Sequence, residues 1–339
     1  MHLVPPPNQP LSRDYFLRLG AVLLLLAIVW FGTNFFGGKR REQPAQSFPG
    51  RENFAQTNPT DQDKNASLFA ASLPIAQNVF LIPQAEISAP IRNWDVKEPE
   101  LTAQSIYAIE INSKKVLFQR DPDKKRPIAS LSKLVTALVV LDKASLKDEV
   151  VVSESATQTL GEAGGLVADE RISVESLLWA MLLESSNDAA AALAEKFNGQ
   201  FVGFMNQKVK NLGLRNTSFS DPSGLSPENV STAKDLTRIL REIMKYPFIN
   251  HILTTKETKI SSTDGSREHK LINNDKLLEK YPEIIAAKTG FIDEAGECMV
   301  LAIKSSNGQD TIINVILGSQ DRFADMEKLI EWERAGFIW

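Results

Sequence analysis

The stretch PIASLSKLVTALV, residues 127–139, carries the pattern that decides the fold. Its apolar residues recur three and four positions apart, which is the spacing of one buried face of a helix. They are Leu131, Leu134, Val135, Leu138 and Val139. Ser130 and Lys133 lie at the beginning of this helix, where side chains three positions apart are neighbours with Cβ atoms roughly 5–6 Å apart. The stretch therefore predicts a deeply packed helix that begins beside a serine and a lysine.

This serine and lysine are candidates for nucleophilic chemistry. A serine hydroxyl is a weak nucleophile and needs an adjacent base. The amine of Lys133 can serve if burial or a neighbouring cation lowers its pKa, and a helix N-terminus supplies N–H donors for a developing oxyanion. The spacing alone is a weak indication, because Ser231-Thr232-Ala233-Lys234 repeats it. There, a serine or threonine that caps the following helix is the simpler interpretation.

Two further motifs strengthen the case for Ser130. Ser185-Ser186-Asn187 follows an apolar helix, and its hydroxyl and amide groups can relay a proton and hold a substrate carbonyl. A second Ser-Ser-Asn, at 305–307, is better explained as a turn between strands. Lys288-Thr289-Gly290 precedes a predicted strand. It offers a second cation that lowers the pKa of Lys133, a hydroxyl for a substrate carboxylate, and room for close backbone approach.

The segments on either side of the first helix predict a domain of mixed α and β structure. Strand patterns occur at 105–111 and 115–118, and again near the end of the chain at 299–303 and 311–317. Strands at both ends with helices between them indicate an α+β fold whose terminal strands share one sheet. The helical patterns cover residues 130–146, 174–184, 188–198, 201–212, 233–246 and 322–335.

The composition excludes several classes of function. Lys and Arg total 38 against 42 Asp and Glu in 339 residues, a net charge of -4, so no nucleic-acid partner is expected. Cys298 is the single cysteine, which excludes an intramolecular disulfide framework and favours a small core residue. The histidines are His2, His251 and His269, and they leave few arrangements for a metal site or a Ser-His-Asp triad.

Ser-x-x-Lys, Ser-x-Asn and Lys-Thr-Gly in this order are the set found in penicillin-binding proteins and class A β-lactamases. The chain resembles one branch more closely: the low-molecular-weight D-alanyl-D-alanine carboxypeptidases and their endopeptidase relatives. This resemblance covers about residues 100–339 and implies the β-lactamase and penicillin-binding-protein transpeptidase-like fold, an antiparallel sheet flanked by helices with a helical subdomain. The stretches that carry it are 127–133, 185–189, 221–225, 231–236 and 288–296.

The resemblance implies a reaction and three catalytic residues. Ser130 is the implied nucleophile, which is acylated; Lys133 is its general base; and Ser185 passes a proton to the leaving group. The implied activity is that of a serine-type D-alanyl-D-alanine carboxypeptidase, which cleaves peptidoglycan stem peptides through a covalent acyl-enzyme. Neither a metal ion nor an organic cofactor is implied, and β-lactam antibiotics are the expected covalent inhibitors.

The resemblance also implies substrate-binding residues. Asn187 is expected to position the substrate carbonyl. Lys288 and Thr289 are expected to bind the terminal carboxylate, with Gly290 completing the motif. Arg322 matches an arginine of the family that helps to hold that carboxylate, although a solvated charge at the beginning of the last helix is the simpler structural explanation.

Three other functions remain open at this point. A D,D-endopeptidase that cleaves peptidoglycan cross-links needs the same acylation machinery, so the motifs do not separate it from a carboxypeptidase. A class A β-lactamase needs a glutamate in a Glu-x-x-x-Asn context between the second and third motifs, and the chain has Asp221-Pro222-Ser223-Gly224 at the corresponding distance. An inactive envelope scaffold is disfavoured because all three motifs are intact.

The N-terminal part predicts a membrane anchor. Residues 19–36 carry no charge, and their length is at the short end for spanning a bilayer. We predict a cytoplasmic tail at 1–18, a transmembrane signal anchor at 19–36, a flexible tether at 37–99 and the catalytic domain at 100–339. Basic residues after the anchor favour a cytoplasmic domain, but large domains translocate largely regardless of this bias. Because the implied polymer lies outside the cell, we expect a bacterial single-pass membrane protein with its catalytic domain outside the cytoplasm.

Overall fold

The structure, a computed structural model, describes residues 89–161 and 165–339. The predicted tail, the predicted anchor and the tether up to residue 88 lie outside the described residues. No helix within the two described ranges is long and apolar enough to cross a membrane.

An antiparallel five-stranded sheet organises the described residues. Its strands lie in the order β10 (Ile284–Ile292), β11 (Gly296–Lys304), β12 (Thr311–Ser319), β2 (Ser105–Glu110) and β3 (Val116–Arg120), so the first hairpin lies beside strands from the end of the chain. The prediction that the terminal strands share one sheet is therefore confirmed. The strands are β1 (Ile91–Arg92), β2 (Ser105–Glu110), β3 (Val116–Arg120), β4 (Arg126–Pro127), β5 (Glu149–Val151), β6 (Arg171–Ser173), β7 (Val230–Ser231), β8 (Glu257–Ser261), β9 (Glu268–Ile272), β10 (Ile284–Ile292), β11 (Gly296–Lys304), β12 (Thr311–Ser319) and β13 (Phe337–Ile338).

Helices cover both faces of this sheet. Successive side chains of a strand point to opposite faces, and β11 shows the consequence: Val300 and Ala302 pack into one apolar core, while Leu301 and Ile303 pack into another. Most of the helices belong to the first core, and the last helix belongs to the second. The helices are α1 (Lys133–Lys143), α2 (Glu154–Thr157), α3 (Val174–Leu183), α4 (Asn187–Glu195), α5 (Phe201–Asn211), α6 (Ala233–Ile243), α7 (Pro247–Thr254) and α8 (Arg322–Gly336).

The first helix begins differently from the prediction. Residues Ala129–Ser132 form a 3-10 turn, and the α-helix proper begins at Lys133. Ala129 has a φ of 49°, a left-handed conformation that an α-helix does not contain. The nucleophile candidate Ser130 therefore lies on a tight turn that leads into the helix, while residues 133–140 are buried as the apolar spacing predicts.

Two other boundaries also differ from the sequence analysis. Residues 91–92 fall in the predicted tether, but β1 pairs with β13, so this segment belongs to the folded domain. Arg92 fixes it there by donating to the Gly336 carbonyl and by lying 4.8 Å from the centre of the Trp332 ring. The Lys-Thr-Gly motif precedes the strand that contains Met299, as predicted, but it lies inside a further strand, β10, that the sequence analysis did not include. Strand β10 contains Ala, Lys and Gly residues, which are depleted in strands and therefore weaken the strand pattern of this segment.

Candidate active site

Two glycines allow the backbone to pack closely around the Ser130 turn. A Cβ on Gly224 would lie 2.0 Å from the Ala129 carbonyl oxygen, and Gly224 has a φ of 91°. A Cβ on Gly290 would lie 3.0 Å from the Ser130 backbone nitrogen. Any side chain at either position would push the turn away from its neighbours, so the loop at 221–225 and the edge strand β10 hold Ser130 from two sides.

Lys133 lies at the centre of the site and is fully buried. Its Nζ is 2.8 Å from Ser130 Oγ, 2.7 Å from Asn187 Oδ1 and 2.8 Å from the Ser223 carbonyl oxygen. An amine so close to a serine hydroxyl can exchange a proton with it. The spacing of Ser130 and Lys133 predicts their contact, whereas a contact with a backbone carbonyl leaves no pattern in the sequence.

The Ser-Ser-Asn segment joins α3 to α4 and directs two side chains into the site. Ser185 has a φ of 69°, an uncommon conformation for a residue other than glycine and one that clusters at functional sites. Ser186 caps α4 by accepting from the Ala189 backbone N–H. Asn187 begins that helix, and its Nδ2 donates to the Leu160 carbonyl at 2.9 Å, which leaves its Oδ1 directed at the lysine.

Lys288 brings a second buried amine to the site from β10. Its Nζ donates to Ser185 Oγ at 3.0 Å and to the Thr289 carbonyl at 3.1 Å. The hydroxyl of Ser185 is therefore held by a cation, an arrangement that favours loss or relay of its proton.

Arg322 lies at the beginning of α8, directly after the cap residue Asp321. It is half-buried, its Nη1 donates to the Gly290 carbonyl at 3.0 Å, and its backbone N–H donates to the Glu297 carboxylate at 2.8 Å. These contacts fix the guanidinium against the Lys-Thr-Gly strand. The simpler explanation, a charge that only points to solvent, does not describe this arginine.

The predicted residues meet in one cavity of about 190 Å³. Lys133 and Lys288 lie behind its wall and bond to residues that line it. Within the two described ranges, no group of three or more His, Cys, Asp or Glu side chains could hold a metal ion. The lining residues are Ser130, Gly161, Ser185, Asn187, Gly224, Leu225, Asn274, Thr289, Gly290, Phe291, Ile292 and Arg322.

Sequence reasoning missed two neighbouring residues of this site. Asn274 lines the cavity and its Nδ2 donates to the Glu184 carbonyl, next to Ser185. Asp275 is buried, and burial raises the pKa of its carboxyl to about 6, although the Leu277 N–H and the positive charges of Lys288 and Arg322 lower it. The sequence Asn273-Asn274-Asp275 indicates only a turn, so no pattern linked these residues to the motifs.

Two buried residues lie close to the motifs. Cys298 is fully buried, as predicted, and burial raises the pKa of its thiol to about 11. Asp235 is buried at the beginning of α6 and accepts from the hydroxyl of Thr217 at 2.9 Å.

The fold and the site together define an active-site serine enzyme of the β-lactamase and penicillin-binding protein superfamily. The sequence profile of the D-alanyl-D-alanine carboxypeptidases, peptidase family S11, matches residues 93–321. The chain belongs to this family of serine peptidases.

Curated relatives carry two related names. The D-alanyl-D-alanine endopeptidase of Escherichia coli K12 is 35% identical over 279 residues, which are 80% of this chain and 89% of the relative. The D-alanyl-D-alanine endopeptidase of Pseudomonas aeruginosa is 36% identical over 79% of this chain and 86% of its own length. A D-alanyl-D-alanine carboxypeptidase of Bacillus subtilis is 33% identical over 68% of this chain and 61% of its own length.

Solved structures agree with this assignment. The Streptomyces K15 DD-transpeptidase is 30% identical, with a TM-score of 0.66 over 71% of this chain and 100% of that structure. The D-alanyl-D-alanine carboxypeptidase of Mycobacterium tuberculosis H37Rv is 31% identical, with a TM-score of 0.66 over 72% of this chain and 95% of that structure. The fold expected from the sequence, an α+β penicillin-binding-protein fold, is therefore confirmed.

Proposed function

We propose that this protein cleaves the bond that follows a D-alanine in peptidoglycan stem peptides, with Ser130 as the residue that becomes acylated. The observation that carries the proposal is the buried amine of Lys133, 2.8 Å from Ser130 Oγ, in a cavity that also contains the Ser-x-Asn and Lys-Thr-Gly motifs. Membership of a family of D-alanyl-D-alanine carboxypeptidases supports the choice of substrate.

The chemistry follows from the side chains. Neutral Lys133 takes the proton of Ser130, and Ser130 Oγ forms a bond to the carbonyl carbon of the D-alanine while Asn187 positions that carbonyl. The carbon–nitrogen bond then breaks, and Ser185 relays the proton from Lys133 to the leaving amine. Lys133 is neutral again and takes a proton from the water that bonds to the ester carbonyl carbon. The bond between that carbon and Ser130 Oγ then breaks, and Lys133 returns the proton to Ser130 Oγ.

A positive corner of the cavity suits the carboxylate of the leaving residue. Lys288 supplies charge from the wall, Thr289 supplies a hydroxyl, and Arg322 supplies a guanidinium that the Gly290 carbonyl holds in place. Contacts between a carboxylate and charged donors are shorter and stronger than neutral hydrogen bonds. This corner therefore selects substrates with a carboxylate next to the scissile bond, and β-lactams, which carry one, are expected to acylate Ser130 as inhibitors.

The carboxypeptidase activity is the first candidate and the endopeptidase activity is the second. The second is supported by the relatives named endopeptidases, which match 80% and 79% of this chain, against 68% for the Bacillus subtilis carboxypeptidase. Purified protein should be incubated with defined muropeptide monomers and with cross-linked dimers, and the products identified by mass spectrometry. Release of D-alanine from monomers identifies a carboxypeptidase, conversion of dimers to monomers identifies an endopeptidase, and intact substrates would contradict both.

A β-lactamase is the less favoured alternative. Asp221, at the distance where a class A enzyme needs its glutamate, does not line the cavity. Its carboxylate accepts from the backbone N–H groups of Ser223, Gly224 and Ser226, so these hydrogen bonds hold it within its own loop. A penicillin acyl-enzyme is therefore expected to persist, and rapid release of hydrolysed penicillin would contradict this expectation.

The proposal includes a location outside the cytoplasm, with the segment 19–36 as a membrane anchor. It is supported by the uncharged sequence of that segment and by the extracellular position of peptidoglycan. A reporter enzyme that is active only after export, fused after residue 60, should be active. Protection of the C-terminal domain from protease in spheroplasts would contradict this location.

A further inference from the structure

The arrangement around Lys133 imposes a condition on the proposed base. A neutral amine has two N–H bonds and one lone pair, and the lone pair must point at the Ser130 hydroxyl to accept its proton. Asn187 Oδ1 and the Ser223 carbonyl oxygen are acceptors that lie 2.7 and 2.8 Å from Nζ. When they accept the two N–H bonds, the lone pair is left facing Ser130. The position of the Ser223 carbonyl therefore matters for catalysis.

The Ser223 carbonyl belongs to a loop, residues 220–229, that one buried amide holds together. Asn229 is fully buried, and its Oδ1 accepts from the backbone N–H groups of Ser220 and Asp221 at 2.7 and 3.2 Å. Its Nδ2 donates to the Asp221 carbonyl at 2.9 Å. Asp221 Oδ1 in turn accepts from the backbone N–H of Gly224 at 2.6 Å, and this N–H belongs to the same peptide as the Ser223 carbonyl. Hydrogen bonds on either side of Asp221 thus link Asn229 to the peptide that holds the lysine.

The same amide also holds the turn that carries the nucleophile. Asn229 Nδ2 donates to Ser132 Oγ at 3.0 Å, and Ser132 Oγ donates to the Ala129 carbonyl at 2.8 Å. The Asn229 backbone carbonyl accepts from the Ile128 N–H at 3.0 Å. One side chain therefore joins the two parts of the chain that supply Ser130 and the acceptor of the Lys133 amine.

We infer that Asn229 is a positioning residue: it fixes the Ser223 carbonyl relative to the Ser130 turn and so directs the lone pair of Lys133 at Ser130. This inference rests on the proposed function, since it requires Lys133 to act as the base. Asn229 does not line the cavity, so its effect must pass through the Ser223 carbonyl, which contacts Lys133, and through the Ser130 turn. The acylation step should then depend on Asn229, while the noncovalent binding of a ligand should not.

Asn206 provides a matched control in the same part of the fold. Its amide also braces this loop region, because its Nδ2 donates to the Phe219 carbonyl at 2.8 Å and its Oδ1 accepts from the Phe219 N–H at 2.9 Å. It makes no contact with the Ser130 turn among its hydrogen bonds within the described residues. Asn206→Ala should therefore weaken the loop without disturbing the link to the nucleophile.

The experiment measures a fluorescent penicillin on the full-length protein and separates the acylation rate constant from the noncovalent dissociation constant. For Asn229→Ala the acylation rate constant should fall on the order of 10- to 100-fold, because small displacements of catalytic groups have effects of this size. The dissociation constant should change less than about threefold, since Thr289 and Arg322 are untouched. For Asn206→Ala both constants should remain within about threefold of the wild type, whatever the change in unfolding temperature.

Ser132→Ala is the second variant and keeps the inference testable if Asn229→Ala does not fold. It removes only the hydroxyl that joins Asn229 to the turn, and the acylation rate constant should again fall more than the dissociation constant changes. An unchanged acylation rate constant in folded Asn229→Ala or Ser132→Ala would overturn the inference alone, as would an equal decrease in Asn206→Ala. Absence of label on wild-type Ser130 would overturn the proposed function and the inference with it.

Discussion

Two segments of this chain share the pattern Ser-x-x-Lys, and the structure uses them in opposite ways. Lys133 is fully buried with its Nζ 2.8 Å from Ser130 Oγ. In the second copy, the Lys234 side chain is 51% exposed and lies 3.4 Å from the Asp123 carboxylate. Ser231 instead shares a hydrogen bond of 2.8 Å with Thr217. The same spacing therefore brings the two side chains into hydrogen-bond contact in one place and separates them in the other.

The difference lies in the backbone between serine and lysine. Residues 129–132 form a 3-10 turn that continues into α1, so Ser130 and Lys133 project from one face, as residues three apart on a helix do. Ser231 is the last residue of strand β7, and α6 begins two residues later with Thr232 as its cap. The helical spacing rule applies only where both residues share one helical segment.

The two copies of Ser-Ser-Asn repeat this contrast. Asn187 is buried at the beginning of α4 and contacts Lys133. Asn307 is exposed and accepts from the Ser305 hydroxyl at 2.6 Å within the connection between β11 and β12. The prediction of a turn at 305–307 is confirmed. The side chains of a polar triplet at a helix start can hydrogen-bond to another element. Those of a triplet in a hairpin connection hydrogen-bond to one another within the turn.

The largest expected effect is the loss of covalent penicillin labelling when Ser130, but not Ser231, is replaced. Ser130→Ala should abolish covalent attachment of a labelled penicillin, because the acylated oxygen is removed, whereas Ser231→Ala should be labelled like the wild type. Peptide mapping of the labelled wild-type protein should locate the label on Ser130. Label on the peptide that contains Ser231 would reverse the assignment of the two motifs.

The lysines give the next largest effect. Lys133→Arg keeps the positive charge but removes a group that can be deprotonated, so the rate of acylation by penicillin should fall on the order of 100- to 10,000-fold. Lys234→Arg should leave the rate unchanged, since this lysine only approaches Asp123 on the surface. Stopped-flow or quench measurements of acylation compare the two variants, and circular dichroism checks that both are folded. Acylation of Lys133→Arg at a rate near that of the wild type would show that another group takes the proton.

Much of the fold and the site could be predicted because both depend on side chains with strong local patterns. The apolar spacing after Ser130 predicted α1, and the hairpin pattern at 105–118 predicted the strand pair that begins the sheet. The structure also brings the motif residues into one cavity, together with Arg322 from the last helix. Their catalytic and binding roles remain predictions, which penicillin labelling and the kinetics of the variants can test.

The parts that could not be predicted depend on the backbone and on distant contacts. One partner of Lys133 is the carbonyl of Ser223, and a backbone carbonyl is present at every position of a sequence. The strand β1 is short and pairs with the end of the chain, so no local pattern distinguishes it from a tether. Asn229 lies 97 positions from Ser132, and only the folded structure shows that they are joined.

The two asparagines sharpen the comparison of the Ser-Ser-Asn copies. Asn187→Ala loses a contact with the Lys133 amine and the proposed contact with the substrate carbonyl, which are worth about 1.5–3 and about 1 kcal/mol. Acylation should slow by roughly 100- to 1,000-fold. Asn307→Ala should leave acylation unchanged and affect only stability, by about 1 kcal/mol or less. The test measures the rate of penicillin acylation and the thermal unfolding of both variants. Equal acylation rates in the two variants would show that Asn187 does not take part in acylation.

The smallest effect is expected at Arg322, and Arg334 on the same helix is its control. Arg322 faces the cavity, whereas Arg334 lies 3.4 Å from Glu283 near the other end of α8. A charge-assisted contact with the substrate carboxylate is worth about 1.5–3 kcal/mol. Arg322→Ala should therefore lower kcat/KM roughly 10- to 150-fold on a substrate with a free carboxylate. An otherwise identical substrate with an amidated carboxylate should be cleaved slowly by wild type and variant alike, because it lacks the charge that the arginine recognises. Arg334→Ala should leave the cleavage of both substrates unchanged.

The outcome that would contradict this role is an equal loss of activity on the acid and the amide substrate in Arg322→Ala. The guanidinium would then hold the Gly290 carbonyl in place without binding the substrate carboxylate, and the difference between the two arginines would concern only the stability of the fold.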